Sequence, residues 1–128
     1  MIIQITPVGK PRMTQRDKWK QRPAVLRYHS FCDEIRLKYK QPLPAALLLT
    51  FYIAMPESWS ARKKEAMVGE PHQQRPDTDN FCKAVMDALA WDDSYIYILG
   101  ASKWWALEGG IEIGVLRIGK RGSDIITL

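Results

Sequence analysis

Ala45-Ala46-Leu47-Leu48-Leu49-Thr50-Phe51-Tyr52-Ile53-Ala54-Met55 runs eleven residues without a charge. A strand with one wet face alternates apolar and polar side chains, and this one does not, so it reads as a central strand covered on both faces. Upstream, Val25, Tyr28, Phe31, Cys32, Ile35 and Tyr39 recur at three- and four-residue steps and predict a helix over 24–39. Pro23 suits its start, where a missing N–H costs little, and Pro42 and Pro44 end it. Downstream, Pro56-Glu57-Ser58-Trp59-Ser60 breaks the strand. Ser60 then serves as N-cap of a short helix over 60–67, which Gly69 and Pro71 stop.

Further out, residues 1–6 alternate and predict a first strand. Ser94 to Ala101 is strand-like, and Lys103-Trp104-Trp105-Ala106 continues it. Glu108-Gly109-Gly110 is a turn signal before a strand from Ile111 to Ile118, so the last two strands read as an antiparallel hairpin. Residues 119–128 read as a loose tail. The fold class is α+β: one small mixed sheet from 1–6, 45–55, 94–105 and 111–118, with helices over 24–39, 60–67 and 78–89. At 128 residues the chain makes a single domain, 1–128. No run of about eighteen apolar residues exists, which excludes a spanning helix. The first residues lack the pattern of a signal peptide, and Cys32 and Cys82 suggest neither a disulfide framework nor a metal-binding spacing. A cytoplasmic protein is expected.

Charge is unevenly placed. Residues 1–64 hold thirteen Lys and Arg against four acids, whereas residues 65–128 hold six against ten. Lys10, Arg12, Arg16, Lys18, Lys20 and Arg22 lie in a Pro-punctuated basic arm over 10–27, with Trp19 among them. Such an arm suits a phosphate backbone, and Trp19 suits stacking on an unpaired base. The plainer alternative is a solvated loop with Trp19 against the core.

The acidic half concentrates in Arg75-Pro76-Asp77-Thr78-Asp79-Asn80-Phe81-Cys82-Lys83-Ala84-Val85-Met86-Asp87-Ala88-Leu89-Ala90-Trp91-Asp92-Asp93. Five aspartates and one lysine fall within its last seventeen residues. Like charges this dense need a cation among them, either a hard divalent metal or a lysine. A helix over 78–89 puts Phe81, Val85, Ala88 and Leu89 on an apolar stripe and Asp79, Lys83 and Asp87 on another face. Asp93 rejoins Asp77 and Asp79 only if the chain folds back, or if the next strand starts beside them. Carboxylates without histidine or thiolate partners favour Mg²⁺ or Mn²⁺ over zinc, and hydrolytic phosphoryl transfer as the chemistry. The same residues also read as plain structure: Asp77 an N-cap, Asp79 and Lys83 a surface pair, Asp92-Asp93 a turn.

In these residues the chain resembles the RusA family of Holliday-junction endodeoxyribonucleases, common in bacteriophages and prophages. The resemblance rests on Pro76-Asp77-Thr78-Asp79-Asn80, Lys83, Asp87-Ala88-Leu89 and Asp92-Asp93, with Lys103 matching a lysine of the following strand. It implies a Mg²⁺-dependent, homodimeric nuclease that resolves four-way junction DNA by paired nicks in recombination and repair. It further implies that Asp77, Asp79 and Asp93 bind the metal, that Lys83 is catalytic with them, and that Lys103 joins the basic arm in contacting DNA. Asp87 and Asp92 match motif positions of second rank. One departure is visible, since only Ala90-Trp91 separate Leu89 from the aspartate pair, a shorter link than the family's. Trp104-Trp105 and the first strand are candidates for the dimer interface. A non-catalytic binder of junctions or single strands, and the same chemistry on flaps or forks, are the competing readings.

Overall fold

The computed structural model describes residues 2–12, 22–90, 92–118 and 125–127. In chain order these form β1 (Ile2–Ile3), α1 (Pro23–Lys38), β2 (Ala46–Ala54), α2 (Ala61–Met67), α3 (Thr78–Leu89), a 3-10 turn (Asp93–Tyr95), β3 (Ile98–Ala106), β4 (Gly110–Ile118) and β5 (Ile125–Thr127). The architecture is α+β, and the three predicted helices stand within a residue of their expected bounds.

The sheet runs β1-β4-β2-β3, and β5 pairs with β4 beyond the two residues that β1 occupies. β2 is parallel to β3 and antiparallel to β4. The expected hairpin is therefore corrected: β2 lies between the two strands that the 107–109 turn connects. Crossing an intervening strand means spanning about 10 Å, twice the ordinary strand spacing, which those three residues can reach. The apolar β2 takes the middle because there both its edges find hydrogen-bond partners. The first strand is also shorter than 1–6, although Ile3 and Ile5 still alternate into the core. Of the expected loose tail, residues 125–127 are strand.

β2 is covered on one face only. Leu47, Leu49 and Phe51 are fully buried, whereas Leu48, Thr50 and Tyr52 on the other face are half-buried. The expectation of two covered faces fails because α1 and α3 both pack on the same side. α1 contributes Val25, Tyr28, Phe31, Cys32 and Ile35 to the core, and α3 contributes Phe81, Ala84, Val85 and Ala88. Phe51 and Phe81 stack with centroids 5.1 Å apart. Burying one such ring is worth about 1.5–3 kcal/mol, and this contact fixes α3 against the middle strand.

β3 is an edge strand, and an uncovered edge invites association. Here the chain covers part of its own edge, at Lys103 to Trp105. Gly69 N–H donates to the Trp105 carbonyl, Trp105 N–H to that of Glu70 and His72 N–H to that of Lys103. Gly69 makes this possible by ending α2 with φ +83°, a left-handed conformation that favours glycine. Ser60 caps α2 as predicted, its hydroxyl accepting from Lys63 N–H at 3.2 Å. Trp105 is buried against Trp59 and the His72 ring, with centroids 4.8 and 4.4 Å away, so it has no surface left for a second subunit.

Candidate active site at the amino end of α3

Asp77 is the N-cap residue of α3, with extended backbone, and its carboxylate makes no capping hydrogen bond. Asp79 stands in the first turn, where a negative charge is favoured by the helix dipole. Lys83 Nζ lies 3.7 Å from Asp79 Oδ2, and both side chains are well exposed. The two acids thus stand at one helix end, with the Lys83 ammonium beside Asp79 and, among the described residues, no capping bond on the Asp77 carboxylate.

Asp93 is not brought to them. It begins the 3-10 turn after α3, whose twelve residues span about 18 Å. Around it, Tyr95 OH donates to the Leu43 carbonyl and Tyr97 N–H to that of Ala45, beside the first residues of β2. At the other end, Lys103 Nζ donates to the carbonyl of Pro76. Three residues separate the end of α3 from Asp93, and just past Asp93 the chain is still at the carboxyl end of α3, where Tyr95 lines a cleft with Ala88 and Leu89. Among the described residues, no group of three or more His, Cys, Asp or Glu is gathered closely enough to hold a metal ion. Asp92 serves the turn: its Oδ1 accepts from Ser94 N–H at 3.0 Å, and that bond holds its carboxyl below the usual range.

What the arrangement offers a cation is a pair of aspartates at one helix end. Cys82 is buried in the core, where burial pushes its thiol up to about 11, and His72, although it lines a cleft together with Asp77, is buried against Trp105. All-oxygen donors with open positions fit Mg²⁺, which commonly takes one or two carboxylates and keeps several waters.

Two clefts flank this helix end. One, about 540 Å³, is lined by His72, Gln74, Arg75, Asp77, Ser102 and Lys103, among others. The second, about 420 Å³, is lined by Lys10, Pro11, Arg12, Asn80 and Lys83. The amino-terminal segment reaches this second cleft through Gly9, for which a Cβ would stand 2.9 Å from Pro76 Cβ. Lys10 N–H then donates to the Asn80 carbonyl. Lys10 Nζ lies 3.5 Å from Asp87 Oδ1, and Asp87 Oδ2 accepts from Tyr28 OH on α1. The Tyr28 bond first, and the Lys10 charge next, hold the Asp87 carboxyl below its usual range.

Of the predicted DNA contacts, Lys10 and Arg12 are placed at the site. Arg22 precedes α1 and donates to the Arg12 carbonyl. Arg16, Lys18, Lys20 and Trp19 lie outside the described residues. The arm ends at Arg22 rather than 27, since Pro23 begins α1. Gly9, Tyr28 and the bonding of Asp87 escaped sequence reasoning; only the Gly-Lys-Pro-Arg run marked the spot.

A family model described as Endodeoxyribonuclease RusA matches residues 4–116. No curated protein and no solved structure matches the chain.

Proposed function

Since the chain belongs to the RusA family of endodeoxyribonucleases, we propose that it is a Mg²⁺-dependent, homodimeric enzyme resolving four-way DNA junctions in recombination and repair. The observation that carries this is the uncapped carboxylate of Asp77, two residues from Asp79 at one helix end, next to a cleft lined by Lys10, Arg12 and Lys83. Anionic metal ligands next to a cationic bed are what hydrolysis of one phosphate within a polyanion needs.

Asp77 and Asp79 are the ligands that hold the ion, with Mn²⁺ able to take its place. When bound, it supplies Lewis-acid polarisation and an activated water. Lys83 lies beyond hydrogen-bond distance of Asp79 and exposed, so its ammonium can turn to a phosphate oxygen as charge develops there. The arm, from Lys10 and Arg12 through Arg16, Lys18 and Lys20 to Arg22, grips the backbone. Asp93 stays apart from this pair within one protomer. A two-fold dimer presents two identical sites to the two equivalent strands of a junction, which makes paired nicks possible in one encounter.

A synthetic four-way junction incubated with the protein and Mg²⁺ or Mn²⁺ should be nicked at two symmetric positions. Flap and fork substrates run beside it separate junction resolution from broader structure-selective cutting. Absence of nicking on several junction sequences with either ion overturns the proposal.

A further inference from the structure

The cleft between residues 9–12 and α3 has a built floor and a cationic lining. Asn80, Lys83 and Asp87 fall at three- and four-residue steps, so they line one stripe of α3. The 9–12 segment lies along that stripe because Gly9 allows close approach to Pro76 and because the Asn80 carbonyl takes the Lys10 N–H. Lys10 extends from residue 80 towards Asp87, which takes its ammonium at 3.5 Å on one carboxylate oxygen. Tyr28, buried on α1, holds the other oxygen. Asp87 is therefore fixed from behind before it meets Lys10. The ammonium has three donors, and a single loose carboxylate contact leaves the others pointing elsewhere.

We propose that this cleft is a phosphate subsite, in which Lys10, Arg12 and Lys83, with Asn80, receive a DNA backbone phosphate next to the one that is cut, and that Asp87, held by Tyr28, is the positioning residue that aims Lys10 into it. The inference rests on the reading of the protein as a nuclease acting on DNA. The class of ligand is a phosphodiester: three cations surround a space of about 420 Å³, too open and polar for an apolar group. Lys83 joins the subsite to the metal pair, since it lies between Asp79 and the cleft.

The sign of one substitution makes the test sharp. Asp87→Asn removes a negative charge from a DNA-binding surface, and simple Coulomb attraction then makes DNA bind more tightly. A positioning role gives the opposite. The measurement is fluorescence anisotropy of a labelled four-way junction in EDTA, over a range of salt, where no cutting occurs. Lys10→Met and Arg12→Met should each lower the slope of log affinity against log salt by about 0.9, one phosphate contact apiece. Asp87→Asn should weaken binding by about three- to tenfold, and combining it with Lys10→Met should add little. Tyr28→Phe changes no charge and should weaken binding in the same direction, and a thermal melt of each variant establishes that it is folded. Tighter or unchanged binding by a folded Asp87→Asn or Tyr28→Phe protein overturns the positioning role. Unchanged salt slopes for both cation variants overturn the subsite. Slopes that fall in a wild-type background that never nicks with Mg²⁺ or Mn²⁺ leave the subsite standing and overturn the nuclease reading instead.

Discussion

Lys103 Nζ donates to the backbone carbonyl of Pro76 at 2.8 Å, and a second bond from the same ammonium goes to the carbonyl of Gln74. The two acceptors bracket Arg75 and end one residue before Asp77, so a lysine of β3 ties down the loop that delivers this proposed metal ligand. Its partners are peptide groups, a role that leaves one ammonium donor for DNA. Lys103→Met is expected to raise the Mn²⁺ concentration needed for half-maximal nicking about 10–100-fold, the usual effect of removing a support behind a ligand. Titration calorimetry with Mn²⁺ in the absence of DNA reads the same loss directly. Equal Mn²⁺ affinity in variant and wild type would leave Lys103 with DNA contact alone.

Asp79→Asn keeps size and most hydrogen bonding but removes the charge of a proposed ligand. Cutting should be abolished while junction binding in EDTA survives. Asp93→Asn makes the geometric counterpart: from the far end of α3 it should leave Mn²⁺ binding to Asp77 and Asp79 unchanged by calorimetry. Loss of that affinity means the ion also draws on Asp93, which the length of α3 allows only from a second subunit. Mixing Asp79→Asn and Asp93→Asn proteins then settles the matter, because a shared site regains nicking in the mixed dimer and an unshared one does not.

Gly9 sits where the amino-terminal segment crosses the site loop. A Cβ there meets Pro76 Cβ at 2.9 Å and Pro76 Cγ at 3.2 Å, and a proline ring has little room to yield. Gly9→Ala is expected to cost about 1–3 kcal/mol as an overpacked contact. A fall in melting temperature together with weaker junction binding is the predicted pair of results. An unchanged melt with unchanged binding would mean the segment is not seated on Pro76.

The helices were legible from local signals: Pro23 and Ser60 at starts, Pro42 and Gly69 after ends, and an apolar stripe at helical spacing in α1 and α3. The strands were legible as strands, but their neighbours were not. Nothing local in Ile111–Ile118 says that its partner is β2 instead of β3, since a three-residue connection reaches an adjacent strand or one beyond it. The uncharged run of β2 suggested two covered faces, yet Leu48, Thr50 and Tyr52 are only half-buried, so absence of charge misled about depth. At the site, the Asp77–Lys83 end could be read from spacing because one helix turn fixes it. Asp93 could not, because its position depends on how far the three residues after α3 let the chain travel. Tyr28 lay hidden in an apolar stripe fifty-nine residues from the carboxylate it holds.

His72 offers a pH signature of its own. It is 4% exposed, and its Nδ1 is buried without a hydrogen-bond partner among the described residues. Burial first, and the Lys103 charge second, hold its imidazole below the ordinary 6.5. A group whose pKa is lower folded than unfolded contributes stability that is whole above the unfolded value and is lost as pH falls through the folded one. The unfolded chain therefore takes up this proton more readily below pH 6.5, and stability declines there by up to about 1.4 kcal/mol per pH unit. His72→Phe keeps a ring against Trp105 and cannot titrate. Urea melts followed by tryptophan fluorescence should show wild type losing stability from about pH 6.5 towards pH 5, with the variant losing measurably less. Identical acid-side slopes in the two proteins would mean that this imidazole carries its proton equally well in the folded and unfolded states.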